Sequence, residues 1–146
     1  MINSETKKRL ASVIISPTAS ISEAVAKLDK AGTGALLLCS TGRTLSGLLT
    51  DGDIRRAILR GIHFDNPCES ICTRNPVTAS SLVTTQEAIH IMNERDIDHL
   101  PILDGAGKVV EFLLRRELAS EKQLDLSAVI MAGGFGKRLF PLTEKV

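Results

Sequence analysis

The chain repeats itself at an offset of 64 residues without gaps, and a duplicated unit constrains the fold more than any single motif. Ser20-Ile-Ser-Glu23 falls on Thr84-Thr-Gln-Glu87. Both read S/T-x-x-E, the capping box in which the first and fourth residues satisfy each other's backbone donors at a helix start. Ile21, Ala24, Val25 and Leu28 then follow at i, i+3, i+4 and i+7, the spacing of an amphipathic helix with one buried face. Ala88, Ile89 and Met92 continue that pattern in the second copy, and Gly32 and Gly34 are placed to end the first helix. The apolar run Ala35–Cys39 falls on His99–Leu103, and each is followed by a turn, Ser40-Thr-Gly-Arg43 or Asp104-Gly-Ala-Gly107. Gly42, Gly105 and Gly107 can supply the positive φ that tight hairpins need. Second strands are predicted at residues 44–50 and 108–114, then helices over 51–60 and from 115 to about 122. Short extended segments at 13–15 and 77–78 precede the two units, and Asn66-Pro67 and Asn75-Pro76 break regular structure in the connector.

One such unit could hardly bury its own sheet. Two units packed together could, around a pseudo-twofold axis that creates two equivalent clefts. With 146 residues, 43% apolar and 24% charged, the chain is globular in composition and neither disordered nor collagen-like. Its 18 basic and 17 acidic side chains leave a net charge of +1, against the basic excess of a nucleic-acid binder. Trp and Tyr are absent, which removes the usual stacking platforms for single-stranded nucleic acid. No apolar run approaches the roughly 18 residues of a membrane span, so no membrane partner is expected. The N-terminus has no apolar h-region. Three cysteines, an odd number, suit a reducing, cytoplasmic location.

The second strand of the first unit runs into a helix through Gly47-Leu-Leu-Thr-Asp-Gly-Asp-Ile54. Thr50 ends the strand and Asp51 starts the helix, whose first-turn amides and dipole make a phosphate site. Thr50 adds a hydroxyl donor. Asp53 offers two oxygens to the hydroxyls of a ribose, and Gly47 would let a base or sugar lie against the strand. Arg55, Arg56 and Arg60 lie on the same helix and could neutralise phosphates. Thr50-x-x-Asp53 is also a capping-box variant, so both side chains could simply cap the helix.

These residues match the G-h-h-[ST]-x-x-D-[IL] nucleotide motif of CBS domains, h being apolar, at every defined position. The unit therefore resembles a CBS domain, and the tandem resembles a Bateman module. Asn75-Pro-Val-Thr78, Glu87-Ala88, Met92 and His99-Leu-Pro-Ile-Leu-Asp104 are similar to the family's wording in the second unit. The resemblance covers roughly residues 12–122. It implies an α+β fold of two CBS repeats, each about β-α-β-β-α, packed with pseudo-twofold symmetry. An N-terminal arm over 1–11 precedes repeats at 12–66 and 67–122. The implied function is regulatory: an adenine nucleotide binds between the repeats, through Gly47, Thr50, Asp53, Arg55 and Arg56, and controls an attached enzyme. The alternative is a ligand-free, dimerising, architectural module, and a homodimer is implied under either reading. In the second unit Glu111, Leu114 and Glu117 stand where Gly47, Thr50 and Asp53 stand in the first, so one competent cleft is expected rather than two. A packed or surface role is expected for His99.

Residues 123–126 read as a linker and 128–131 as a buried strand, which runs directly into Ala132-Gly-Gly-Phe-Gly-Lys-Arg-Leu-Phe-Pro-Leu-Thr143. A strand followed by a Gly-rich loop lets backbone amides cradle phosphates. The stretch resembles the opening motif of sugar-1-phosphate nucleotidyltransferases, G-G-x-G-x-R-L-x-P-L-T. The resemblance implies a truncated Rossmann-like strand and loop over 123–146. Gly133, Gly134, Gly136, Lys137 and Arg138 would hold a nucleoside triphosphate, with Arg138 stabilising the leaving pyrophosphate. The family's magnesium-binding aspartates and sugar pocket would lie beyond Val146, so Mg2+ and catalysis are implied for a longer parent chain and not for these residues alone. Cys68 and Cys72, with His63 upstream, lack a fourth ligand, and no metal site is expected. Cys39 reads as a core residue.

Overall fold

A computed structural model describes residues 4–121. The first helix, α1 (Ser4–Val13), leads into a two-residue strand, β1 (Ile14–Ile15). Next come α2 (Ile21–Ala31), β2 (Ala35–Cys39), β3 (Leu45–Thr50) and α3 (Asp51–Leu59). The second repeat follows as β4 (Ala79–Ser80), α4 (Thr85–Glu94), β5 (His99–Leu103), β6 (Val109–Leu114) and α5 (Arg115–Glu121). The fold is α+β, with two three-stranded sheets ordered β1-β2-β3 and β4-β5-β6.

The duplication extends to the register. Ala35 pairs with Thr50 and His99 with Leu114, and each hairpin carries a bulge at the same place, Leu38/Cys39 and Ile102/Leu103. The short first strand is parallel to the second in both sheets. Capping boxes open α2, α3 and α4, through Ser20 with Glu23, Thr50 with Asp53 and Thr84 with Glu87. Gly32 ends α2 at φ 63°, the left-handed conformation that closes a helix. In the hairpin turns Gly42 and Gly107 take positive φ, as expected, whereas Gly105 does not and Arg43 does.

The N-terminal segment differs from the expected arm. It is a helix that packs on α2 and β2 of its own repeat and on β6 of the far one, with Leu10 and Val13 buried in one cluster that joins first-repeat residues to Val109, Phe112 and Leu114 of β6. Arg9 reaches Glu117 at 2.7 Å. Burying side chains of this size contributes roughly 1.5–3 kcal/mol each, which outweighs the weak helical pattern of a ten-residue polar segment. A smaller cluster, Ala88, Met92, Leu100, Ile102 and Leu118, lies wholly within the second repeat.

The connector does for the first repeat what α1 does for the second. Ile21 N donates to Asn66 O at 2.9 Å and Cys68 N to Ala19 O at 2.8 Å, while Leu48 and Thr73 exchange both backbone bonds as an added edge rung on β3. This crossing explains Gly47. A Cβ there would meet Cys72 Sγ at 2.7 Å and the Thr73 carbonyl oxygen at 3.2 Å. The close approach that Gly47 permits is therefore made by the chain itself and not by a base or sugar. Glu111, its counterpart, is exposed and has room for a long side chain.

Two outcomes are expected. Gly47→Ala should destabilise the fold by about 1–3 kcal/mol in urea unfolding, through overpacking. Cys72→Ala should recover part of that loss in the double variant, because the Thr73 contact remains. Separately, the Thr84 amide and hydroxyl hold the Glu87 carboxyl below its ordinary value of 4.5. A carboxyl lowered on folding stabilises above its unfolded value and loses that contribution as pH falls through the folded one. Stability should therefore decline below about pH 4.5, and Glu87→Gln, which keeps the capping box, should flatten that part of an acid titration followed by circular dichroism.

Candidate functional site: the cleft between the repeats

The repeats face each other across a cleft of about 1000 Å³. Its lining comes in pairs related by the duplication. Thr50, Asp51 and Gly52 at the start of α3 oppose Leu114, Arg115 and Arg116 at the start of α5, and Thr33-Gly34 oppose Ile97-Asp98. The connector residues Asn75, Pro76 and Val77 close one flank. The space thus lies on the pseudo-twofold axis as one continuous cleft with two chemically different sides.

On the α3 side, the Thr50 amide and hydroxyl both donate to Asp53 Oδ2 at 2.8 Å, and Asp53 N donates to Thr50 Oγ1 at 3.3 Å. Arg56 pairs with Asp53 Oδ1. The guanidinium folds back over Gly52, where a Cβ would stand 3.3 Å from Arg56 Nη1 and 3.5 Å from Thr50 Oγ1. A cation at the positive end of a helix dipole is unfavourable unless an anion balances it. Asp53 provides that balance from below, and the upper side faces the cleft.

The sequence candidates separate accordingly. Thr50 and Arg56 line the cleft. Gly47 does not, because it faces Cys72. Asp53 is 6% exposed and sits behind the cleft wall with both oxygens engaged, so the capping reading of Thr50-x-x-Asp53 is realised in full. Arg55 is exposed and points outside the lining, as helical geometry requires of the residue one position before Arg56. Gly133, Gly134, Gly136, Lys137 and Arg138 lie outside the described residues.

The α5 side has lost the anion-binding groups. Leu114 presents methyl groups where Thr50 presents a hydroxyl, and Glu117, at the place of Asp53, is drawn to Arg9. Arg115 stands where Asp51 stands in the first repeat. It donates from Nη2 to the carbonyl oxygens of Met92 and Ile97, both at 2.7 Å, and so braces the end of α4.

Three further residues line the cleft: His99 and Asp51, which the motifs contain without a ligand role, and Arg116, which no motif announces. His99 Nε2 lies 2.9 Å from the Thr33 carbonyl oxygen, and because a carbonyl only accepts, that nitrogen carries the proton. The His99 ring also stacks on Phe112 at 5.9 Å, so it is a cleft residue and a tie between repeats rather than a packing or surface residue only. Arg116 Nη2 donates to Gly32 O at 2.7 Å, a second tie onto the same loop. Asp51 is the third; it is exposed at the first turn of α3. The remaining lining is apolar, with Leu48, Val77, Ile97 and Leu114.

The cysteines take no part in this site. Cys39 and Cys68 are buried, and burial pushes both thiols up to about 11. Among the described residues no three His, Cys, Asp or Glu side chains are grouped to hold a metal.

Several known proteins are similar to this chain. A protein from Pyrococcus horikoshii, known from a crystal structure, is 30% identical, with a TM-score of 0.68 over 78% of this chain and 86% of that one. The CBS domain protein PAE2072 from Pyrobaculum aerophilum, solved in complex with AMP, is 24% identical, with a TM-score of 0.66 over 74% and 91%, a likeness of fold. Arabinose 5-phosphate isomerase GutQ of Escherichia coli K12 is 30% identical over 92 residues, which are 63% of this chain and 29% of GutQ. The chain thus spans less than a third of that curated relative. The family model of the CBS domain matches residues 9–60 and again 68–123, one match on each repeat. With both matches falling on the two halves that enclose the cleft, the chain belongs to the CBS domain family as a tandem pair.

Proposed function

We propose that this chain is a regulatory CBS pair whose cleft binds one adenine nucleotide and transmits its occupancy to an attached enzyme. One observation carries the reading. A single cleft brings together the Thr50 hydroxyl, the open first turn at Gly52 and the Arg56 guanidinium with an apolar wall of Leu48, Val77, Ile97 and Leu114. A phosphate suits the first set and a purine face the second. The AMP bound by the Pyrobaculum protein of the same fold supports this choice of ligand. In this reading Thr50 and Arg56 touch the nucleotide, while Gly47 and Asp53 hold them in place. The binding unit is the pair 12–66 and 67–122.

The attached enzyme is inferred from residues 128–143, whose sequence resembles the opening motif of sugar-1-phosphate nucleotidyltransferases. Gly133, Gly134, Gly136, Lys137 and Arg138 would act on the nucleoside triphosphate, and Mg2+ would serve that longer chain. The region matched in GutQ, itself named as an enzyme, supports a CBS pair carried beside a catalytic unit. A homodimer through the CBS pairs and a cytoplasmic location belong to the same proposal. No described helix is long and apolar enough to cross a membrane. The second reading, an architectural module without ligand, is favoured by one fact: the Thr50–Asp53 cap is complete, with both Asp53 oxygens engaged by Thr50 and Arg56.

Calorimetry with AMP decides between them. The first reading expects saturable binding near one site per chain. Ligand at about 100 times Kd should stabilise by about 2.7 kcal/mol, a rise in Tm on the order of 5 °C. Arg56→Ala should weaken binding by about ten- to a hundredfold, the worth of a charge-assisted hydrogen bond. Asp53→Ala should lower Tm without ligand by removing the cap, at a cost of about 0.5–2 kcal/mol. No binding of any adenine nucleotide would leave the architectural reading.

A further inference from the structure

We infer that Asp51 sets the charge the cleft accepts, so that it admits a nucleoside monophosphate and disfavours the triphosphate. This rests on the nucleotide reading above. The cations that line the cleft are already engaged. Arg56 is held by Asp53. Arg115 donates to the Met92 and Ile97 carbonyls and lies 3.5 Å from Asp96 and 3.2 Å from Asp98. Arg116 is bound to the Gly32 carbonyl. Asp51 is different. Its carboxylate has no hydrogen-bond or ion-pair partner among the described residues and faces the cleft beside Gly34. A Cβ on Gly34 would be 3.6 Å from Asp51 Oδ2 and 3.5 Å from His99 Nε2, so the carboxylate and the imidazole flank the same bare backbone on the cleft floor.

The position of Asp51 gives it leverage over any ligand longer than one phosphate. The cleft adjoins a second cavity of about 430 Å³, and Gly34, Asp51 and Arg116 line both. Thr50, Gly52 and Arg56, the phosphate seat of the reading above, line the cleft and not that second cavity. In this inference further phosphates extend past Asp51 toward Asp29, which lines the second cavity, or along the opposite wall toward Asp96 and Asp98. Either route runs into carboxylates. A triphosphate carries about two more negative charges than a monophosphate. At about 7 Å, with an effective dielectric between that of a protein surface and water, one like charge costs about tenfold in affinity.

Calorimetry with AMP, ADP and ATP, without magnesium and at low salt, tests this on the 146-residue chain. Affinity should fall in that order, with ATP about tenfold or more weaker than AMP. Asp51→Asn should narrow the AMP-to-ATP gap by about tenfold, Asp51→Glu should keep it, and raising salt should shrink it in the wild type but little in Asp51→Asn. Melting curves without ligand confirm that the variants fold. ATP binding as tightly as AMP, or a gap unchanged in Asp51→Asn, overturns the role of Asp51 and leaves the nucleotide reading standing. Absence of binding by all three removes that reading and this inference together.

Discussion

Each repeat is covered by a segment that belongs, in sequence, to the start of the other, and the rest of the structure depends on that exchange. A three-stranded sheet with two helices leaves apolar surface on its outer strand. On β6 that surface is Val109, Phe112 and Leu114, and Leu10 and Val13 of α1 cover it. On β3 the connector lies alongside, with Cys68 buried and Thr73 paired to Leu48. The repeats are therefore joined by a shared core and not only by a loop. The cleft walls inherit their spacing from this arrangement, because the starts of α3 and α5 follow directly on the strands so held.

Within that frame the two cleft sides have diverged. One retains a hydroxyl, a bare first turn and a guanidinium. The other has replaced them with Leu114, Arg115 and Arg116, whose polar groups are used on the protein's own backbone. Arg115 is instructive because it occupies the position of Asp51. In the second repeat a long cation reaches back to brace α4. In the first a short anion, too short to do so, faces the open space. The duplication thus supplies a geometric frame whose two halves carry different chemistry at equivalent positions.

The helices and strands were legible because their signals are local. A capping box, a four-residue apolar period and a turn glycine each act within a few residues, and a second copy at constant offset removes most ambiguity. The motif at Gly47–Ile54 was legible as a place, but its members divide differently in three dimensions. Gly47 serves the approach of Cys72, and Asp53 serves Thr50 and Arg56. Spacing cannot separate a carboxylate that caps from one that faces a ligand, since both roles demand the same offset. α1 escaped for a different reason: its buried stripe is only Leu10 and Val13, and the surfaces that select it lie in α2, β2 and β6. The place of His99 was legible but its tie to the other repeat was not, since no local pattern reports the contact with the Thr33 carbonyl 66 residues away.

The exchanged covering segments also bear on how the chain is made. α1 packs on α2 and β2, which follow it closely in the chain, and also on β6, which comes far later. The first repeat can assemble with α1 placed on it, but the side of that helix that meets β6 stays bare until the second repeat is complete. Ties such as Arg116 to Gly32, 84 residues apart, close at the same stage. Contacts this distant in sequence delay the transition state and make the pair, rather than the single repeat, the cooperative unit of folding. A nascent chain halted after the connector would expose the part of α1 that meets β6 to the chaperones and proteases that meet it.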